Sequence, residues 1–411
     1  MEVIYQWCSG LDVHKRSVVA CLITLGPDGT PEKEVHTFGT MTEDLLALSD
    51  WLTGAGCTHV AMESTGVYWK PIYNLLEGDF ALVLANARHI KAVPGRKTDV
   101  RDCEWIADLL RHGLLQASFV PDRTQRELRE LTRYRTSLVR ERTAEANRLQ
   151  KTLEGANIKL AAVATDILGK SGRAMLEALV SGTTDKTVLA DLAKGRLREK
   201  IPQLQQALQG LVGPHQRFMV AQQLAHIDFL DESIAQVSTE VGKRLHMASV
   251  EETINRLDGI PGIGRYLAEA LVAEIGTDMT RFPTARHLAS WAGMCPGNNE
   301  SAGKRYSGKT RKGSPWLQAL LIQAAHVAAR KKDTYLAAQY RRLAARRGKK
   351  KAAVAVGHSI LVMAYHMLQR GTEYCELGPN YFNELERLAV KQRLVRRLED
   401  LGYKVILDQA A

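Results

Sequence analysis

Residues 1–120 alternate between strand-like and helix-like patterns of apolar and polar positions. Three apolar, β-branched stretches joined by short turns predict three strands paired as hairpins, in IYQWCSGLDV, SVVACLITL and KEVHTF. The stretch TEDLLALSDWLTGAG has helical spacing, begins at Thr42 and closes at Gly54. A strand, a helix and a strand follow in THVAMES, YWKPIYNLLEG and FALVLAN, and a last helix begins at Asp99. This order predicts a mixed α/β sheet with the first strand central and the fourth beside it.

Residues 121–250 have a different pattern, with two long and mostly polar helices. The first of them has neither glycine nor proline until Gly155. Its leucines stand in a highly charged background at Leu128, Leu131, Leu138 and Leu149. The second long helix covers residues 213–245, and a small helical insert separates the two. The heptads are imperfect, yet the pattern predicts an antiparallel coiled-coil arm, an element that usually sets spacing or forms a dimer.

Residues 251–370 predict a mainly α-helical domain that begins with two helices around the turn GIPGIG. In a helix-hairpin-helix, glycines such as Gly262 and Gly264 let the backbone approach a phosphate, and the N–H groups near Arg265 bind it. A tight turn inside a helical domain explains the same glycines. Residues 371–411 predict a mixed-charge helical tail for packing or assembly, so the chain has four expected parts, 1–120, 121–250, 251–370 and 371–411.

Positive charge is concentrated in one segment of the chain. The net charge is +11, yet residues 304–351 contain 15 Lys and Arg against the single acid Asp333. Such a segment is the electrostatic pattern expected for binding a phosphate backbone, although a solvated helix face also accounts for it. The side chains expected to bind nucleic acid here are Lys304, Arg305, Lys309, Arg311, Lys312, Arg341, Arg342, Arg346, Arg347, Lys349, Lys350 and Lys351.

Cysteine usage and hydropathy limit the class of protein. The six cysteines are scattered without a CxxC pair, which predicts reduced thiols and neither a zinc site nor a disulfide framework. The N-terminal stretch does not have the pattern of a signal peptide, and no run of about 18 apolar residues is evident. We therefore expect a cytoplasmic protein without a membrane span.

Four acids are candidates for one metal site. Asp12 lies near the end of the first strand and Glu63 ends the fourth, so both are expected at one edge of the sheet. Asp99 and Asp102 lie at i and i+3 on the last helix and would share a face over that edge. Four carboxylates in one place suit one or two Mg²⁺ ions, or Mn²⁺ in their place, as in a ribonuclease-H-like site for phosphodiester displacement.

Each of these acids also has a structural interpretation. Asp12 is explained by a turn and Glu63 by a helix cap. Asp99 suits a helix start with Thr98 as its N-cap, because the helix dipole favours acids there. Asp108 lies two turns further along the helix than Asp102, and we expect it to be structural.

The motifs GLDVHK, MESTGVYW and KTDVRDCEWIADLLRHG, with IPGIG, AGMCPGNNESAGKR and GSPWLQALLIQAA, resemble the transposases of the insertion-sequence 110 family, also called DEDD transposases. The resemblance covers residues 8–160 and 250–370. The four family acids correspond to the four candidates above without a change of residue type. Cys103 replaces the small residue usual after the last acid and is expected to pack similarly.

The resemblance implies a RuvC-like domain and a C-terminal transposase domain whose serine forms a covalent phosphoserine with DNA. That serine corresponds to Ser301 in NNESAGK, whereas the surrounding charge by itself leaves Ser307 and Ser314 equally open. The resemblance also implies a structured non-coding guide RNA that pairs with donor and target DNA. Recombination then requires a homodimer that assembles into a tetramer on DNA, with the acids and the serine of one site supplied by different subunits.

Two other functions fit parts of the pattern. A RuvC-like endonuclease that resolves Holliday junctions with metal-activated water would not need Ser301. A non-enzymatic nucleic-acid-binding protein would use the four acids only as caps. Replacing Ser301 distinguishes the endonuclease from a recombinase. Replacing Asp12 and Asp102 distinguishes the non-enzymatic binding protein from a recombinase.

Overall fold

The protein, analysed as a computed structural model, forms two compact units, Met1–Arg123 and Thr124–Ala411. The residues that the structure describes are 2–64, 66–87, 90, 93, 102–297 and 299–407. The finer division into four parts stays a prediction.

The first unit contains a five-stranded mixed sheet with strand order β3-β2-β1-β4-β5. Its strands are β1 (Cys8–Val13), β2 (Ser17–Leu25), β3 (Pro31–Gly39), β4 (His59–Glu63) and β5 (Ala81–Ala85). The first three pair antiparallel, and β4 is parallel to both β1 and β5. The predicted mixed α/β class, the central first strand and the neighbouring fourth strand are confirmed.

Helices cover both faces of this sheet. They are α1 (Thr42–Gly54), α2 (Trp69–Leu76) and α3 (Asp102–Arg111). Because side chains alternate across a strand, Leu11 and Met62 belong to the core shared with α1 and α2. Cys8 and Ala61 belong to the core shared with α3. The two faces of the sheet therefore have separate apolar cores.

The first strand is shorter than predicted, since it begins at Cys8 and not at Ile4. The backbone N–H groups of Ile4 and Tyr5 donate to the carbonyl oxygen of Arg111, at 2.9 and 3.2 Å. This carbonyl is one of those that a helix end leaves without an intrahelical partner. The residues before the strand thus cap α3 and do not extend the sheet.

The second unit begins with two long helices separated by a helical insert, as predicted. The helices in chain order are α4 (Arg123–Gly155), α5 (Leu160–Val163), α6 (Lys170–Val180), α7 (Lys186–Asp191), α8 (Ile201–Ala207) and α9 (Pro214–Met247). Ion pairs between α4 and α9 join Glu127 to Arg244 and Arg142 to Asp231, and Nδ1 of His226 lies 3.5 Å from Oε2 of Glu145. Residue numbers rise along one helix as they fall along the other, so the predicted antiparallel arrangement is confirmed.

The insert forms an apolar core of its own. Leu149 and Leu153 of α4 and Leu224 of α9 pack with buried side chains from the insert, among them Leu176 and Leu189. The other end of α4 and α9 joins the main core of the second unit. The arm therefore links two separately packed regions.

The rest of the second unit is mainly helical. Its elements are α10 (Glu251–Asp258), α11 (Arg265–Ile275), α12 (Ala285–Trp291), a hairpin of β6 (Asn299–Ser301) and β7 (Lys304–Ser307), α13 (Pro315–Ala328), α14 (Tyr335–Arg347), α15 (Lys349–Arg370) and α16 (Tyr381–Asp400). Among the described residues, α15 alone is long and apolar enough to cross a membrane, contrary to the expectation of no such segment. Ala353, Val356 and Ile360 of this helix lie in the main core, and core helices commonly meet the same criteria.

Candidate active site and nucleic-acid interface

The strand register brings two of the predicted acids side by side. Leu11 of β1 pairs in parallel with Met62 of β4, and Asp12 and Glu63 are the residues that directly follow. By alternation, both belong to the sheet face of Gly10 and Ala61. The two acids therefore lie side by side near the carboxyl ends of adjacent strands, on the face that α3 covers.

A glycine sets the distance between β1 and α3. A Cβ atom on Gly10 would lie 2.3 Å from the backbone nitrogen of Ala107 and 2.4 Å from the carbonyl oxygen of Cys103. Only a residue without a side chain allows this approach. Because Asp12 is two residues beyond Gly10 and Asp102 directly precedes Cys103, the close contact fixes the start of α3 near the end of β1.

The electrostatics of Cys103 agree with this placement. Burial raises the pKa of the Cys103 thiol, and the nearby carboxylates of Glu104 and Asp12 raise it further. The side chain of Cys103 is 1% exposed. It therefore packs as a small core residue, as expected, and stays a neutral thiol at physiological pH.

Three of the four predicted acids are thus placed by the structure, whereas Asp99 and Thr98 lie outside the described residues. Asp102 is the first residue of α3 and is exposed. Within the described part of the chain, no group of three or more His, Cys, Asp or Glu side chains is arranged to hold a metal ion. The side-chain oxygens of Asp12, Glu63 and Asp102 are nevertheless the hard ligands that suit a divalent cation such as Mg²⁺.

Asp12 has a basic neighbour as well. The Nε2 atom of His14 lies 3.2 Å from Oδ2 of Asp12. A cation bound by Asp12 would therefore compete with a protonated His14. Asp108 accepts a hydrogen bond of 2.6 Å from Nζ of Lys33, which agrees with its expected structural role.

All six cysteines are free, as expected. Burial raises the pKa of Cys8 to about 11 and that of Cys21 to about 12. These thiols remain protonated at physiological pH and are poor nucleophiles.

Ser301 lies at the end of a strand and not in an irregular loop, so the predicted serine loop is corrected to a hairpin. It pairs with Lys304 across a two-residue turn. Ala302 and Gly303 in that turn have φ of 50° and 74°, and two positive φ values are typical of a type I′ turn. The sequence Ala-Gly is a weaker turn signal than Asn-Gly, which is why the pattern did not reveal the hairpin.

The base of this hairpin is anchored on the helical core. The stem continues through a bridge between Pro296 and Thr310. Nε2 of Gln318 donates to the carbonyl oxygen of Gly293 at 2.9 Å. A Cβ atom on Gly313 would lie 2.3 Å from the carbonyl carbon of Ala292. The segments on either side of the hairpin that carries Ser301 are therefore closely packed against each other.

Ser314, a second candidate nucleophile, has a structural task. Its Oγ accepts from the N–H of Leu317 at 3.3 Å, as the N-cap of α13, and is 3.4 Å from Oε2 of Glu274. A capping hydroxyl contributes about 1 kcal/mol to helix stability. These contacts account for Ser314 without any chemistry on DNA.

The basic segment is largely solvent-exposed, as binding to nucleic acid requires. The exposed members of the predicted set are Lys304, Lys309, Arg311, Lys312, Arg341, Arg346, Arg347, Lys349, Lys350 and Lys351. Arg342 differs, because its guanidinium pairs with Glu386 and lies 5.7 Å above the ring of Phe382 in α16. Arg342 therefore contacts the tail helix, unlike the exposed basic residues of the set.

The glycines of the helix-hairpin-helix turn have different environments. Gly262 has a φ of 98°, and a Cβ atom there would lie 2.3 Å from the carbonyl oxygen of Ala324 in α13. Helix packing thus explains Gly262 fully. Gly264 and Arg265 are exposed at the start of α11, and Arg265 pairs with Glu251 at 2.7 Å. Their binding to phosphate stays a prediction.

A row of arginines on α4 holds α11, although no motif in the sequence indicated this contact. Arg133 donates two hydrogen bonds to Glu274, at 2.6 and 2.9 Å. Arg135, 2% exposed, donates to Glu269 at 2.7 Å. The available signal was the pair of acids at Glu269 and Glu274 inside the otherwise apolar stretch LAEALVAEI, since buried acids need partners.

Comparisons with known proteins agree with the motifs. Residues 9–158 match a DEDD-type family model described as "Transposase", and residues 254–341 match the model "Transposase IS116/IS110/IS902 family". A "Probable family 20 transposase" of Pseudomonas aeruginosa is 28% identical over 275 residues, which are 66% of this chain and 71% of that protein. The "Transposase for insertion sequence element IS1111A" of Coxiella burnetii is 25% identical over 304 residues, which are 71% of this chain and 72% of that protein.

Proposed function

This chain belongs to the insertion-sequence 110 family of transposases, enzymes that cleave and transfer DNA strands, and on that premise we propose that it is an RNA-guided DNA recombinase with Ser301 as its nucleophile. The DEDD-type domain indicates that a divalent metal is used. The first unit is assigned a RuvC-like, ribonuclease-H-like fold, to which its mixed sheet corresponds.

The observation that carries the proposal is the placement of Asp12 and Glu63 at the ends of adjacent parallel strands. The helix that begins with Asp102 docks on the same face at Gly10. In this proposal Asp12, Glu63, Asp99 and Asp102 hold one or two Mg²⁺ ions, or Mn²⁺. When bound, such an ion offsets negative charge on the entering and leaving oxygens of the attacked phosphate.

The proposed covalent step exchanges one phosphodiester for another. Oγ of Ser301 attacks the scissile phosphorus and loses its proton, while the bond from phosphorus to one strand oxygen breaks and that oxygen takes up a proton. The hydroxyl of another strand later attacks the phosphoserine and releases Ser301. The positive charge of Lys304, which pairs with Ser301 across the turn, would stabilise the transition state.

Guidance by a non-coding RNA is the proposed source of sequence choice. Lysine and arginine contacts to phosphates position a nucleic acid but do not read its bases. The exposed basic residues of the hairpin and of α14 therefore suit donor DNA, target DNA or the RNA backbone. Base pairing with the RNA would then select the sites.

We also propose a homodimer that becomes a tetramer on DNA. Phe218 and Phe229 are each 63% exposed and lie three turns apart on α9. Large apolar side chains exposed on one helix stripe commonly mark an interface. The arm would then join two copies, and the acids and the serine acting on one phosphate would come from different subunits.

The decisive experiment traps the protein on a labelled strand-exchange substrate together with the non-coding RNA of its element. We expect a covalent protein–DNA adduct that maps to Ser301 by mass spectrometry and disappears in Ser301→Ala. Ser307→Ala, a serine of the same hairpin, is the matched control and should keep the adduct. An adduct on any other residue would refute the assignment of the nucleophile.

The same assay separates the alternatives. Cleavage that persists in Ser301→Ala indicates a RuvC-like endonuclease. Recombination that persists after Asp12→Asn and Asp102→Asn, or after chelation of divalent metal, contradicts the proposed role of the acids. Recombination of equal efficiency without the RNA contradicts guidance.

A further inference from the structure

The tail helix α16 lies beyond both family matches, the second of which ends at residue 341. Among the described residues, the ring contacts and the ion pair that join α16 to α14 come from its first two turns. The ring of Phe382 stacks on Tyr335 of α14 at 5.0 Å, and Glu386 forms the ion pair with Arg342. Residues 387–400, about four turns, extend beyond this anchor.

The part of α16 after Glu386 is exposed and basic. Val395 alone is half-buried among the residues of this part whose exposure is described. Residues 387–398 contain no acid. Their basic side chains are Arg387, Lys391, Arg393, Arg396 and Arg397. An exposed helix with this composition has the charge expected for a polyanion partner.

Three of these arginines share one side of the helix. Arg393, Arg396 and Arg397 follow i, i+3, i+4 spacing and line a single shallow recess along α16, which Asp400 also borders. Arg393 is seven residues beyond Glu386, so this side continues the one that contacts α14. Within the described part of the chain, none of the three arginines forms a salt bridge.

The same side of α16 adjoins the basic surface of α14. Arg342 lowers the pKa of Glu386, and the charge of Arg346 lowers it further. Arg346 therefore lies near Glu386, which precedes Arg393 by about two turns of α16. Basic side chains of α14 and of α16 thus lie on either side of this one acid.

We propose that Arg393, Arg396 and Arg397 form a second contact surface that binds the phosphate backbone of duplex DNA without reading sequence. The proposal rests on DNA as the substrate of this family and not on the chemistry of Ser301. Of the nearby exposed leucines, Leu394 and Leu398 lie on a different side of the helix, whereas Leu401 follows Arg397 by four residues and continues the side of the arginines.

The test compares two triple variants of the full chain that remove equal charge. The first is Arg393→Gln, Arg396→Gln and Arg397→Gln. The control is Arg387→Gln, Lys391→Gln and Lys404→Gln, which changes exposed residues outside the proposed surface. Affinity for a duplex of random sequence is measured from 50 to 200 mM salt, and circular dichroism verifies that helix content is unchanged.

Each phosphate contact contributes about 0.9 to the slope of log affinity against log salt. Loss of three contacts should make the slope of the first variant shallower by about 2.7, while the control stays near the parent. Equal changes in both variants would indicate a net-charge effect and overturn the proposal. So would a loss confined to binding of structured RNA, or a changed oligomeric state with an unchanged slope.

The covalent chemistry is scored separately, by adduct formation at low salt. The first variant should still form the adduct at 50 mM salt with saturating DNA. If the parent protein forms no adduct at all, the proposed function fails while the salt slopes still decide the role of the tail.

Discussion

At the scale of one residue, Gly10 positions two candidate metal ligands although it has no side chain of its own. The glycine carries no functional group, yet its missing side chain admits the backbone of α3 onto β1. Asp12 and Asp102 stand on the two elements that meet there. The motif GLDV therefore holds a packing residue and a candidate ligand two positions apart.

We predict that Gly10→Ala destabilises the first unit by about 1 to 3 kcal/mol, because the added Cβ forces α3 away from β1. Strand transfer should fall with it, since the start of α3 moves relative to Asp12. Gly54→Ala is the matched control, because apart from its chain neighbours and its own helix backbone no atom lies within 4 Å of a Cβ placed there. Urea unfolding of both variants measures the effect, and equal stabilities would contradict this account of the contact.

The function of individual charged residues was only partly predictable. Asp12 and Glu63 were found from their positions at strand ends, because strand alternation and parallel pairing follow from local pattern. The partner of Arg342 was not found, because Glu386 is 44 residues away in sequence. Nothing local to either residue indicates that pair.

At the scale of elements, α4 has two roles: it forms half of the arm, and its arginines form ion pairs with α11. Its pattern correctly predicted a long polar helix, but the arginines on it are of two kinds. Arg135 is buried against Glu269 and stacks over Tyr266 at 4.0 Å. Arg142 forms an exposed pair with Asp231 on α9. Helical periodicity does not distinguish them, because burial depends on which helix packs on each face.

We predict that Arg135→Met lowers the free energy of unfolding of the second unit by about 3 kcal/mol, since a buried carboxylate loses a charged partner. Arg142→Met should cost less than about 1 kcal/mol, as is typical of exposed pairs. Urea unfolding followed by circular dichroism measures both changes, because most of the helices belong to this unit.

A double variant with Arg135→Met and Glu269→Leu provides the control. It should recover part of the lost stability, because the buried carboxylate, which would otherwise keep only Arg265 as its charged partner, is removed. A double variant that is less stable than the single one would contradict the role of the ion pair.

At the scale of the whole molecule, the arm is the proposed link between copies of the chain. We predict that Phe218→Ser combined with Phe229→Ser shifts the protein from dimer to monomer, because the stripe loses its apolar area. Sedimentation velocity measures the change. The melting temperature, compared at equal protein concentration, should fall only by the amount that dimerisation contributed to stability.

Leu211→Ser is the control for this change. Leu211 is 85% exposed and precedes α9, so its loss removes apolar surface outside the stripe. The control should remain dimeric. A double Phe variant that stays a dimer would place the interface elsewhere on the molecule.

The sequence by itself determined the kinds of element, the strand order and the family, because these depend on short-range periodicity and on motifs. Only the tertiary structure decided which charges are buried, that Ser301 ends a strand of a hairpin, that Gly262 packs against α13, and that the tail helix occupies Arg342. The hairpin is local and has only a weak turn signal, whereas the others depend on contacts between segments far apart in the chain. Their partners are selected by packing in three dimensions, which a local pattern does not encode.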